Sequence, residues 1–131
     1  MWRAALLAMA LSGTPALAEE APLPPGPDGR WQVTLLDDTA IEPADGVTLD
    51  LQGGRITGRS GCNRFFGSYT LTLGFAFGDL GMTRMACPGR PGEIEARFLT
   101  VTAKVNDWRL TAEGLELLLD ERAILRAIPA P

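Results

Sequence analysis

The chain has 131 residues, with 12 lysines and arginines against 16 aspartates and glutamates, two cysteines and no histidine. Without histidine there is no Ser-His-Asp or Cys-His nucleophilic system, since both depend on that base, and two cysteines alone fall short of the four ligands of a structural zinc site. A net charge of −4 also makes nucleic acid a poor partner, because affinity for phosphates rests on lysine and arginine.

Arg3 precedes an apolar run from Ala4 to Leu11, and Ser12, Gly13 and Pro15 lead into Ala16-Leu17-Ala18. This pattern is a signal peptide over residues 1–18 with an A-x-A cleavage site. The run is about half the roughly 20 residues that cross a bilayer, so no transmembrane segment is expected. No cysteine lies at the cut, so the expected product is periplasmic and not lipid-anchored. Cleavage of 18 residues leaves 113, with 11 basic and 16 acidic side chains and a net charge of −5, the size of one compact domain. Residues 19–28, rich in proline and acid, read as an extended leader, which places the domain at 29–131.

Trp31, Val33 and Leu35 alternate with polar residues and predict a strand over about 30–36. Val47, Leu49 and Leu51 repeat the pattern, and Gly53-Gly54 supplies the positive φ angles of a two-residue hairpin turn, with Arg55 to Thr57 returning. Arg64-Phe65-Phe66 reads as a core strand. Tyr69, Leu71 and Leu73 form a further inward row that Gly74 breaks, after which Phe75 and Phe77 begin another. Beyond the loop Pro88-Gly89-Arg90-Pro91-Gly92, Ile94, Phe98, Val101 and Val105 fall on one stripe of a helix over about 92–105. Glu93 and Glu95 in its first turn and Lys104 in its last complement the helix dipole. Trp108 with Leu110, then Leu115, Leu117 and Leu119, then Ile124 to Ala127, predict three closing strands around a turn at Ala112-Glu113-Gly114.

Many strands, one helix, then more strands is the order of an α+β domain. The expected architecture is a curved antiparallel sheet or partly open barrel of six to eight short strands, with the helix covering one end or face.

Two blocks carry a family resemblance. Ser60-Gly61-Cys62-Asn63-Arg64-Phe65-Phe66-Gly67-Ser68-Tyr69 and Met82-Thr83-Arg84-Met85-Ala86-Cys87-Pro88 resemble the hallmark segments of the META domain of HslJ-like heat-shock proteins. The likeness extends to the strand opening at Trp31, to Glu95, Phe98 and Leu99, and to Trp108-Arg109-Leu110 and Leu115-Glu116-Leu117. It implies an α+β domain of bacterial envelope proteins associated with heat induction and drug tolerance. Together with export and the missing catalytic groups, it suggests a non-enzymatic, monomeric envelope protein that supports stress or drug tolerance by binding a protein or envelope component. Two other readings stay open: a carrier or sensor of a small apolar ligand held by Phe65, Phe66, Phe75, Phe77 and Trp108, and an inhibitor of an attacking hydrolase.

In an oxidising compartment Cys62 and Cys87 are expected to form a disulfide, the alternative being two buried reduced thiols. Closing a loop of about 25 residues stabilises by roughly 3.5 kcal/mol in the chain-entropy picture. The 24 residues between them are far from the C-x-x-C spacing of redox-active dithiols. The acidic residues are too scattered for a calcium loop, no P-loop or G-x-G-x-x-G occurs, and no metal or cofactor is expected. The only nominal carboxylate pairs for glycoside hydrolysis are Asp37-Asp38 and Glu93-x-Glu95. Asn63, Arg64, Thr83 and Arg84 remain as candidate binding residues. A structural role for Asn63 is a tight turn after Gly61-Cys62, with left-handed backbone and a bond to its own main chain. If the bridge gathers the two blocks, Arg64 and Arg84 become a candidate clamp for a carboxylate or anionic headgroup.

Overall fold

The computed structural model describes residues 12–13 and 25–131. All of the expected signal peptide except residues 12 and 13, and most of the expected leader, therefore lie outside the described residues. The end of that leader belongs to the fold: Pro27 is buried and its carbonyl accepts the indole N–H of Trp31 at 2.9 Å. The Asp28 carboxylate takes the Gly53 amide at 3.1 Å and the Tyr69 hydroxyl. Burial, followed by the Asp28 contact, raises the Tyr69 pKa.

Among the described residues, ten strands pair antiparallel throughout: β1 (Gly29–Leu36), β2 (Thr39–Ala40), β3 (Val47–Gln52), β4 (Arg55–Ser60), β5 (Arg64–Thr70), β6 (Ala76–Phe77), β7 (Gly81–Met82), β8 (Asp107–Leu110), β9 (Leu115–Leu119) and β10 (Arg122–Pro129). Eight follow one path, β6-β5-β4-β3-β1-β10-β9-β8, with β2 beside β1 and β7 beside β5. The path curls into a half-barrel. Its two ends meet where the Phe75 amide, just before β6, donates to the Asn106 carbonyl, just before β8, at 3.2 Å.

The chain follows its hydrophobic alternation closely in β3 and β4. Gly53 and Gly54 both take positive φ, and the two strands stay in register from Gln52 with Arg55 to Val47 with Ser60. The row expected at Tyr69, Leu71 and Leu73 does not continue. Tyr69 is buried, but β5 ends at Thr70 and Leu73 stands 91 % exposed. The cause is Gly74, whose φ is +93° and whose backbone abuts Asn106 so closely that no side chain fits. The chain turns there to close the half-barrel, and Phe75, after the turn, is buried in its place.

The one α-helix among the described residues, α1 (Arg90–Lys104), begins two residues earlier than expected. Its buried residues Ile94, Phe98 and Val101 pack with Val33, Leu49, Ile56 and Phe65 in one core, and the helix touches β1, β4 and β6. The Phe98 ring lies 4.8 Å from that of Phe65, and Phe75 stacks against Tyr69 at 5.5 Å. Such a core stabilises by roughly 1.5–3 kcal/mol for each large side chain fully buried.

A short 3-10 turn at Pro43–Asp45 moors the start of α1. The Asp45 carboxylate receives Nε and Nη2 of Arg90 at 2.8 and 2.7 Å and the Glu42 amide at 2.8 Å. The Arg90 hydrogen bonds, then the Glu42 amide, hold its pKa at about 2 against an ordinary 3.8. A depressed carboxylate stabilises fully above its unfolded pKa and loses that contribution as pH falls through the folded value. The window here runs from 3.8 down to about 2. In Asp45→Asn the fall in urea midpoint across this window should be shallower than in the parent. Parallel curves would show that the contact is not formed in solution.

Candidate functional site

β4 ends in a tight turn that holds the first hallmark block. The Ser60 amide donates to the Asn63 carbonyl at 2.9 Å, and Gly61 takes a φ of +99°. The left-handed residue of this turn is thus Gly61, whereas Asn63 has ordinary negative φ. Gly61 is also fixed by packing, since a Cβ there would lie 2.8 Å from Cγ2 of Ile94 on α1.

Asn63 points inward, 3 % exposed. Its Nδ2 donates to the Glu95 carboxylate at 2.9 Å and to the Met85 carbonyl at 3.2 Å. Its Oδ1 accepts the Thr83 hydroxyl at 3.0 Å and the Met85 amide at 2.7 Å. A primary amide offers two donors and two acceptor positions, and all four are used. Thr83 Oγ1 accepts the Arg64 amide at 3.0 Å, and the Thr83 amide donates to the Arg64 carbonyl at the same distance. Ser60 Oγ donates to Glu95 Oε1 at 2.6 Å, and the Asn63 amide reaches that oxygen at 3.2 Å. The expected bond of Asn63 to its own turn is therefore replaced by bonds to residues 83–85 and to α1.

The disulfide joins Cys62 to Cys87 with Cα atoms 6.0 Å apart, clamping the same two blocks from the next position along. Gly92 lets the start of α1 pass against the Cys87 carbonyl, where a Cβ would collide.

Of the four expected binding residues, Asn63 and Thr83 are bound into this network. Arg64 and Arg84 are exposed. The pairing of Phe65 with Met82 and Phe66 with Gly81 continues to the main chains of Arg64 and Thr83, which sets Arg64 across from the neighbour of Arg84. Arg84 alone of the pair lines an open groove of about 750 Å³ between the 80–86 segment and α1. Phe66, Met85 and Leu99 also line it, at 59 %, 58 % and 40 % exposure.

The five aromatics proposed to enclose a ligand divide differently. Phe65 and Phe75 are buried, Phe77 and Trp108 pack partly against the core, and Phe66 faces the groove. Glu95, assigned to the helix dipole from sequence, is the main acceptor of the network. Its spacing from Ser60 gives no periodic signal, and only the family likeness singles it out. Glu93 has no part in the network, and Asp37 and Asp38 form exposed ion pairs with Arg122 and Arg97. No cluster of three or more potential metal ligands occurs among the described residues, nor is any helix there long and apolar enough to cross a membrane.

The model of the META domain family matches residues 22–130. An NMR structure of a protein from Burkholderia xenovorans is similar over 89 % of this chain and 99 % of its own, with 28 % identity and a TM-score of 0.63. A second NMR structure aligns over 78 % of this chain and 89 % of its own, with 21 % identity and a TM-score of 0.59, a likeness of fold. No curated protein matches the chain.

Asn63→Asp preserves volume but replaces both N–H donors with a carboxylate facing Glu95. It should cost about 3–5 kcal/mol at neutral pH, the range for an uncompensated buried charge. Thr83→Val, which removes one hydroxyl, should cost about 1 kcal/mol. Urea unfolding measures both; an Asn63→Asp protein as stable as the parent would mean that this side chain faces solvent.

Proposed function

This chain belongs to the META domain family, and on that premise we propose that it is a non-enzymatic binding protein of the bacterial envelope. It is exported to the periplasm without a lipid anchor and supports stress or drug tolerance by engaging a protein or envelope component. The observation that carries this reading is the division of labour within the hallmark blocks. The polar groups of Ser60, Asn63, Thr83 and Glu95 are hydrogen-bonded to one another, and the Ser60 hydroxyl, which donates to Glu95, belongs to a fully buried residue out of reach of a substrate. The same blocks turn Phe66, Met85 and Arg84 outward into a groove completed by Leu99. Apolar side chains at this exposure, rimmed by polar ones, are the mark of an interaction site.

The competing idea of an apolar-ligand carrier draws less support, because Phe98 and Phe65 pack together where such a ligand would sit. A photoreactive side chain at position 66 or 85 should form a discrete adduct in the intact envelope of the producing cell. The same group at the exposed Leu73 should not, and Arg84→Glu should weaken the adducts. Equal labelling from all three positions, or none from any, would overturn the groove as the binding surface.

A further inference from the structure

On the far side of the sheet from the hallmark blocks, three charged residues lie in one cross-strand row. Arg109 on β8 and Arg126 on β10 both stand opposite Glu116 on β9. Glu116 Oε1 takes Nε of Arg109 at 2.6 Å and Oε2 takes Nε of Arg126 at 2.7 Å. The carboxylate is nearly covered, with a side chain 10 % exposed, while the two arginine side chains are 50 % and 56 % exposed. Burial works to raise the Glu116 pKa, but the two guanidiniums outweigh it and the net shift is downward, so the group is anionic at neutral pH.

The mode of attachment is unusual within this molecule. Arg90 gives both Nε and Nη2 to Asp45, which fills its fork. Arg109 and Arg126 give only Nε. Among the described residues, no hydrogen bond takes their terminal amino groups. Each Nε is anchored on a different oxygen of one carboxylate, so the two guanidiniums flank a single anion and keep their terminal N–H donors for a ligand. They line a recess of about 370 Å³ that also contains Thr111, Gly114 and Ile128.

We propose that this recess is a binding site for a carboxylate, held by the terminal amino groups of Arg109 and Arg126, with a short apolar group of the same ligand resting on Ile128. Paired guanidinium N–H groups match a planar carboxylate, and prior anchoring by Glu116 removes much of the ordering cost of two long side chains. Glu113 also lines the recess, its carboxylate accepting the Thr111 hydroxyl at 3.1 Å, so two cations balance two anions. Recognition then rests on the N–H donors, and a monoanion, which adds a single negative charge to a neutral recess, is favoured over a dianion such as phosphate. The carboxylate has two possible sources, a small free acid or the C-terminus of a peptide. The site is independent of the groove at Phe66 and Met85.

Titrations of the purified protein, followed by NMR of backbone amides and arginine Nε–H groups, test the site. The probes are propionate, propionamide, N-acetyl-alanyl-alanine as free acid and as amide, and inorganic phosphate. The free acids should shift Arg109, Arg126 and Gly114 saturably, while the amides and phosphate should not. Tighter binding of the dipeptide acid identifies a peptide C-terminus as the source; equal or weaker binding identifies a small acid. Arg126→Gln should weaken binding about tenfold or more, or about 1.4 kcal/mol, and Arg84→Gln should leave it unchanged. If Arg126→Gln unfolds, the comparison of acids with amides in the parent still decides. The site is overturned if no acid gives saturable shifts, if the amides match the acids, or if phosphate binds more tightly than either acid.

Discussion

One carboxamide holds the hallmark segments of this protein together. From the turn after β4, the Asn63 side chain reaches two stretches distant in sequence: the 83–85 segment following β7 and Glu95 on α1. Aspartate in this position lacks the donors. An unpaired amide buried there would cost on the order of 1–3 kcal/mol, so the site is stable only with all partners present. The Cys62–Cys87 bridge constrains the same segments covalently. The chain thus carries both a loop-entropy constraint and a saturated hydrogen-bond network at one place, and that place forms the wall of the exposed groove.

The half-barrel explains why both proposed sites lie on the outside. Its concave side is filled by Phe98, Ile94 and Val101 from the helix, and its open seam is pinned where Phe75 meets Asn106. What remains for recognition is the rim. One stretch of rim carries Phe66, Met85 and Leu99 on a surface supported from beneath by Asn63; another carries paired arginines braced by Glu116. Each places adaptable or charged side chains over a rigid, hydrogen-bonded support, which keeps the exposed groups in position.

The parts of the fold with strict periodicity were legible from sequence. Val47 to Thr57 announces a hairpin by its alternation and its Gly-Gly turn, and Ile94 to Val105 announces a helix by its stripe. The disulfide followed from two cysteines and the expected compartment. Leu71 and Leu73 misled because alternation says nothing of where a strand ends, and the end here is set by a tertiary contact between Gly74 and Asn106. The sequence around Asn63 suggests only a local turn, since no spacing in the chain reveals that residues 83–85 run alongside it. Arg109, Glu116 and Arg126 are unremarkable on their own strands and become a unit only through the register of β8, β9 and β10.

The bond between Asn63 and Glu95 is the contact most directly open to measurement. A double-mutant cycle would compare urea unfolding of the parent, Asn63→Ala, Glu95→Gln and the doubly substituted protein. Coupling above about 1 kcal/mol, with the double substitution little worse than the more damaging single one, is the predicted result. Additivity within about 0.3–0.5 kcal/mol would contradict the view that Asn63 ties the hallmark segments to the helix.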